Sequence, residues 1–173
     1  SILAALLSFL HAKHHQGQWL IRIDDLDQTR CKPMYADEIL RCLEAFALEP
    51  DAAVVYQHHR LAAYQAAFDN LKDLGLLYSC HCSRKSLSRG PYPGFCSHRL
   101  GQPLDEQWAI RMDTTDLDPC VDDLLLGAQH TGRPGDLIVR RRDGLFAYQL
   151  ACAVDERLDQ VTQWSDVVVD NWK

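Results

Sequence analysis

The sequence predicts an α/β fold with a separate cysteine-rich segment, on three observations. The opening segment SILAALLSFLHAKHH places Leu3, Leu6, Leu7 and Leu10 at helical spacing, and QWLIRIDDLD after it reads as a short apolar strand over 19–23 that runs into acids. A helix that feeds a buried strand is the second half of a strand–helix–strand unit, the building block of parallel sheets. Further on, CHCSRKSLSRGPYPGFC packs three cysteines, two prolines and two glycines into seventeen residues, a composition that belongs to neither element.

Each element has its own local reason. Gly17 is expected to close the first helix as a C-terminal glycine. Pro33 suits the start of a second helix, with Ile39, Leu40, Leu43 and Phe46 on one stripe. Leu61, Tyr64, Phe68, Leu71 and Leu74 stripe a third helix, closed by Gly75, and both stripes are expected to be core. Strands are expected over 76–80, 108–112 and 136–140, with a further one near 124–126 in a loop-rich stretch. Residues 141–144 read as a turn, and 146–155 as a buried helix. The opening of the chain suggests a fragment that begins inside a strand–helix–strand unit.

Composition bounds the class. The chain has 173 residues, enough for one domain with a sizeable core, and its 47% apolar and 24% charged content is ordinary for a soluble globular protein. No apolar run is long enough to span a bilayer, and no export leader is visible, so a cytoplasmic protein without membrane contact is expected. A net charge of −6 argues against coating nucleic acid by bulk charge. Polynucleotide contact would have to use local patches, either Arg84, Lys85 and Arg89 or Arg140, Arg141 and Arg142, each of which also reads as a solvated face.

Seven cysteines in a reducing compartment read as ligands or redox groups before disulfides. Cys80 and Cys82, two apart on an extended segment, face the same side, and His81 between them faces away. Gly90, Pro91, Pro93 and Gly94 permit a return that brings Cys96 back. Three thiolates suit zinc, which takes four tetrahedral sulfur or nitrogen ligands. The fourth ligand is open. His98 is chemically easiest, whereas Tyr92 must lose a phenolic proton, which a metal can drive. A site closed by protein ligands is structural, so one zinc per chain is expected.

Two other groups stand out. Arg22, Asp24, Asp25 and Asp27 follow a strand, at the end of a parallel sheet where ligands bind; the acids suit an ammonium group or ribose hydroxyls, or alternatively a cap or turn. Tyr148 is the polar tip of the apolar DGLFAYQLA, where a core tyrosine is the ordinary reading. His11, His14, His15, His58 and His59 lack ligand spacing and are expected to be exposed polar residues. No residue is singled out as a catalytic acid, base or nucleophile.

LIRIDDLDQTR, then DEILRCLEAFAL and VVYQHHR, resemble the catalytic core of glutamyl-tRNA synthetases. CHCSRKSLSRGPYPGFC and IVRRRDGLFAYQLACAVDE fit the short relatives, the glutamyl-Q tRNA(Asp) synthetases, better than the full-length enzymes. The likeness runs from residue 1 to about residue 162. It implies a class I aminoacyl-tRNA synthetase core, a Rossmann-type parallel sheet with a zinc-bearing insertion. Residues 1–75 would form the first half of that core, 76–135 the insertion and 136–173 the second half, with an atypical tail from about 164.

The implied chemistry is activation of L-glutamate by ATP, with Mg2+, and transfer of the glutamyl group to queuosine in the anticodon of tRNA(Asp). By position, the resemblance assigns zinc to Cys80, Cys82, Tyr92 and Cys96, and glutamate to Asp24 and Tyr148. Asp24 stands where the family often has glutamate. Asp166 stands near an expected carboxylate-binding arginine. The HIGH-like and KMSKS-like elements lie outside the segment, so the chain by itself is expected to be a monomer with little or no activity. Two other readings are a glutamyl-tRNA synthetase fragment that charges the tRNA 3′ end, and a non-catalytic, zinc-stabilised tRNA-binding remnant.

Overall fold

The structure, a computed structural model, describes residues 2–83, 91–123, 126–130 and 132–162. The element order is α1 (Ile2–His14), β1 (Arg22–Ile23), α2 (Pro33–Ala45), β2 (Val55–Tyr56), α3 (Leu61–Asp73), β3 (Leu77–Cys80), β4 (Ala109–Met112), β5 (Cys120–Asp123), β6 (Gly127–His130), β7 (Leu137–Arg140) and α4 (Tyr148–Leu158). The chain forms two compact units, 1–61 with 156–173, and 62–155. The insertion expected over 76–135 lies inside the second.

In the first unit β1 and β2 pair in parallel, Arg22 with Val55 and Ile23 with Tyr56. Among the described residues this is the one parallel pairing. The strand expected over 19–23 shortens to two residues because Trp19 serves the core instead. Its ring packs with Ala5 and Leu48, edge-on to Phe9, and its Nε1–H donates to Ser8 Oγ at 2.9 Å. The Trp19 backbone N–H donates to Asp51, whose carboxylate also takes Lys13 at 2.5 Å.

Among the described residues the four α-helices end in the same way. In α1 the N–H of Gly17 reaches Ala12 O and that of Gln16 reaches Lys13 O, the paired bonds of a Schellman close. The left-handed residue is therefore Gln16 (φ 55°), and Gly17, expected in that role, sits one position beyond it. Ala47 and Gln160 hold the same conformation after α2 and α4, and only after α3 is it a glycine, Gly75.

The expected core stripe of α3 holds in its middle and fails at its ends, whereas in the α2 stripe Ile39, Leu40 and Leu43 are only half-buried and the buried residue of that helix is Ala36. Tyr64 and Phe68 are buried against Phe146, and Tyr64 Oη donates to the buried Asp155 at 2.8 Å. Phe46, Leu61 and Leu74, counted with the core from their spacing, are exposed (61%, 48% and 63%), as are Leu3, Leu6, Leu7 and Leu10 of α1. A terminal helical turn shares the period of its stripe, yet it extends past the partner that buries the rest.

The second unit is built on a three-stranded antiparallel sheet, ordered β3–β4–β7. Its register pairs Cys80 with Ala109, Tyr78 with Arg111 and Met112 with Leu137. All four residues of β3 are buried, so both of its faces are covered. Between β4 and β7 the chain forms the hairpin β5–β6. It flanks the position where one strand was expected; of that stretch, 124 and 125 lie outside the described residues and Leu126 is in the turn. The turn at 141–144 is present, closed by Gly144 N–H to Arg141 O. The helix expected over 146–155 is α4.

Candidate functional site

Strand β3 ends on Cys80, and the extended backbone continues to Cys82, so the two thiols share a side as their spacing requires. His81 points elsewhere and stacks on Trp108, ring centroids 4.3 Å apart. Cys96 returns to the pair, and its Sγ is 3.6 Å from that of Cys82. The sulfurs of Cys80, Cys82 and Cys96 all lie within 4.8 Å of one another. All are free thiols.

The Tyr92 hydroxyl lies beside these thiols. Its buried Oη lies 3.4 Å from Cys80 Sγ and 3.5 Å from Cys82 Sγ, and accepts the Cys96 backbone N–H at 3.0 Å. Zinc–sulfur bonds of about 2.3 Å in a tetrahedron put ligand atoms about 3.8 Å apart. The observed separations are close to that edge, and the donor set, three thiols and one phenol, fits zinc. His98, the alternative fourth ligand, is exposed on a short 3-10 turn and does not join the thiol group.

The surroundings explain why the four atoms converge. Gly135, at φ +75°, lies flat against Tyr92: a Cβ there would come within 2.5 Å of Tyr92 N and 2.8 Å of Tyr92 O. Arg111, on β4, is 6% exposed and places its guanidinium 3.7 Å from the centre of the Tyr92 ring. Its Nη1 donates to the backbone oxygen of Asp136 at 2.5 Å. The Asp136 carboxylate, fully buried, accepts Tyr78 Oη at 2.5 Å, Thr114 N–H at 3.1 Å and Arg133 Nη2 at 3.0 Å.

These contacts set the acidities. Burial raises the Asp136 pKa, but Tyr78, Thr114 and Arg133 outweigh it and hold the group below its ordinary value. Burial and then the Asp136 hydrogen bond push Tyr78 far up. Burial and the shared thiol hydrogen bonds do the same to Tyr92. For Cys80, burial raises the pKa, yet the hydrogen bonds with Tyr92 and the Cys82 backbone, together with Arg111, leave it lowered. Burial raises Cys82.

The strand-end acids divide by task. Asp24 takes Arg22 Nε at 2.7 Å beside the end of β1. Asp25 accepts the His58 backbone N–H at 3.0 Å and pairs with the His58 ring, tying the end of β1 to the turn after β2. His58 is thus half-buried and engaged, where an exposed polar residue was expected. Asp27 caps the next turn, taking Thr29 Oγ1 at 2.6 Å, while its backbone oxygen accepts the N–H groups of Arg30 and Cys31. Cys31, close by, has its thiol pKa raised by burial first and by Asp27, Asp25 and Asp24 after it.

Tyr148, expected as a core residue on bare composition, is the first residue of α4 and is 42% exposed. In the basic run, Arg140 pairs with Glu106, Arg141 pairs with Asp143, and Arg142 lies over Trp108. Arg84, Lys85, Arg89 and Asp166 lie outside the described residues.

Sequence reasoning missed Arg111, Asp136 and Gly135. Their signals were a charge inside the apolar strand WAIRM and an acid after Pro–Gly at the head of DLIVR. Neither says what it contacts until the register is known.

A family model described as tRNA synthetases class I (E and Q), catalytic domain, matches residues 2–91. The glutamyl-Q tRNA(Asp) synthetase of Pseudomonas entomophila (strain L48) is 45% identical over 167 residues, covering 94% of this chain and 56% of that protein. That of Dechloromonas aromatica (strain RCB) is 44% identical over 172 residues, covering 90% and 56%. The chain thus spans about half the length of the curated relatives it matches. The fold is similar to that of a glutamate tRNA ligase from Elizabethkingia meningosepticum CCUG26117, with a TM-score of 0.73 and 20% identity over 93% of this chain and 39% of the other. Among the described residues no helix is long and apolar enough to cross a membrane. With more than half of its length matched by the family model, this chain belongs to the class I tRNA synthetases (E and Q), within their catalytic domain.

Proposed function

We propose that the protein activates L-glutamate with ATP and transfers the glutamyl group to queuosine in the anticodon of tRNA(Asp). The observation that carries this reading is the 45% identity, over 94% of the chain, to proteins named for that reaction. A glutamate carboxylate oxygen attacks the ATP α-phosphorus and pyrophosphate leaves. A queuosine hydroxyl then attacks the acyl carbon of the adenylate and AMP leaves. Neither step needs a covalent enzyme intermediate, so the protein's part is positioning and charge stabilisation.

Asp24 is the proposed partner of the glutamate ammonium group, and Tyr148 is the second proposed glutamate residue. Arg22 supports the first assignment by fixing the orientation of the Asp24 carboxylate at 2.7 Å.

Cys80, Cys82, Tyr92 and Cys96 are the proposed zinc ligands. The metal would supply a structural cross-link, worth on the order of 10 kcal/mol in small zinc modules. The residues hold the segment after β3 against the sheet: Cys80 from β3 itself, Tyr92 through Gly135 and Arg111, and Cys96 through its backbone N–H on Tyr92 Oη.

The test uses the complete gene product with ATP, labelled glutamate and two forms of tRNA(Asp), one bearing queuosine and one an unmodified transcript with an intact 3′ end. Label on the queuosine form alone is the expected result. Label on both forms, or on tRNA(Glu), would establish 3′-end charging instead. Binding of tRNA(Asp) with no glutamate activation would leave a non-catalytic RNA-binding protein.

A further inference from the structure

Three thiolates and one phenolate around zinc(II) leave a centre with a formal surplus of two negative charges, in a pocket where Cys80, Tyr92 and Cys96 are buried. Buried charge of one sign is costly unless an opposite charge lies close by. Among the described residues, Arg111 is a cation in direct contact with a proposed ligand side chain from within the sheet. Arg111 is opposite Tyr78 on the neighbouring strand, so its side chain emerges on the face that carries Tyr78 and Cys80. The guanidinium lies 3.7 Å from the centre of the Tyr92 ring, and one arm is anchored on the Asp136 backbone oxygen. Its Nε is buried and has no hydrogen-bond acceptor among the described residues. A buried N–H left over in this way is uncommon.

We propose that Arg111 is the positioning and charge-balancing residue of the metal centre: it holds the Tyr92 ring in place and offsets the negative charge of the ligand set. This rests on the zinc assignment above. Arg111 is not itself a ligand and acts through Tyr92 and the buried field. Its anchor explains the choice of arginine. A flat guanidinium can stack on the phenol while an in-plane N–H reaches Asp136, which an ammonium group cannot match.

The test measures zinc affinity by competition with a chromophoric chelator, together with the near-ultraviolet tyrosinate signature of the loaded protein, in wild type, R111M, R111K, Y92F and the double variants. Removing a residue that supports a metal ligand typically weakens binding roughly 10- to 100-fold, and R111M should fall in that range and lose the tyrosinate signature. R111K keeps the charge without the stack and should lose less. In the Y92F background, where the ring stays and only the donor oxygen is lost, both arginine substitutions should have much smaller effects, because the oxygen that Arg111 holds in place and whose charge it offsets is gone.

The proposal is overturned if R111M binds zinc as tightly as a wild type that binds one equivalent, or if the substitutions cost the same factor with and without the Tyr92 hydroxyl. If R111M does not fold, R111K with and without Y92F decides by the same comparison. A wild type that binds no zinc would instead sink the metal assignment on which the proposal rests.

Discussion

Gly135 has φ +75°, and an alanine methyl placed on it would stand 2.5 Å from Tyr92 N, 2.8 Å from Tyr92 O and 3.0 Å from Pro91 Cβ. Two costs follow. The left-handed backbone disfavours alanine by about 1–2 kcal/mol. The collision adds an overpacking cost of about 1–3 kcal/mol, because the atoms met are mostly backbone and cannot swing aside. Gly135→Ala should therefore lower stability by about 2–5 kcal/mol, a large share of the ~5–15 kcal/mol of a typical domain. Gly101 is the internal control: it has φ +78° with nothing within 4 Å of its Cβ direction, so Gly101→Ala carries the first cost only. Urea midpoints and slopes give both values, and their difference isolates the collision. Because the strain falls on Tyr92, Gly135→Ala should also release zinc more readily to a chelator, and Gly101→Ala should not. Equal losses in the two variants, with equal zinc retention, would refute the packing of Gly135 on Tyr92.

Other outcomes follow from the same geometry. Elemental analysis should find one zinc per protein, and chelation should make Cys80, Cys82 and Cys96 reactive to thiol reagents while leaving the far-ultraviolet signal of the helices mostly intact. The folded-state pKa of Asp136 is depressed, so its contribution to stability is present above the unfolded value of about 3.9 and is lost as pH falls through the lower folded value. Asp136→Asn should accordingly destabilise at neutral pH and flatten the acid limb of a stability–pH curve. Tyr64→Phe removes a hydroxyl bonded to both oxygens of buried Asp155 and should cost on the order of 1–3 kcal/mol by thermal or urea unfolding. Ala47→Gly relieves a left-handed alanine and should stabilise by up to about 1 kcal/mol in the same assays.

What could be read from the sequence was what is local in it. The spacing of Cys80 and Cys82 sets their shared side through backbone geometry alone, and the structure has them so. The Pro33 start of α2 and the glycine after α3 are equally local. The closes after α1, α2 and α4 were hidden because Gln16, Ala47 and Gln160 adopt a glycine conformation without being glycine; the paired backbone bonds support it where the side chain does not. The helix ends were misjudged for a different reason. Periodicity identifies the apolar face of Phe46 or Leu74, but whether another element reaches that turn is a tertiary fact. The same limit applies to the thiol cluster, where residue chemistry alone ranks His98 above Tyr92 as a fourth zinc ligand. Ligand chemistry does not reveal that Tyr92 Oη is held between two thiols while His98 is turned out on a 3-10 turn.

The cluster of Cys80, Cys82, Tyr92 and Cys96 is shaped by the sheet more than by the loop that carries most of its donor atoms. The sheet β3–β4–β7 contributes along its length: β3 ends on Cys80, β4 presents Arg111 to the Tyr92 ring, and the residues leading into β7 bring Gly135 against the Tyr92 backbone and the Asp136 carboxylate to Tyr78 Oη. A flexible loop gathering three thiols and a phenol would have to order them at a cost of about 1–2 kcal/mol per residue of backbone entropy. Here the β3–β4 pairing itself places Cys80, and Gly135 and Arg111 beside that sheet pack Tyr92. Tyr92 therefore belongs to the sheet's packing as much as to the ligand set. Tyr92→Phe keeps the ring against Arg111 and Gly135 while removing the donor oxygen, so it should weaken zinc binding with little loss of metal-free stability, whereas Tyr92→Ala should cost both. Parallel zinc titrations and metal-free urea unfolding would separate the two roles. Equal metal-free stability in Tyr92→Ala and wild type would show that the ring is not part of the core.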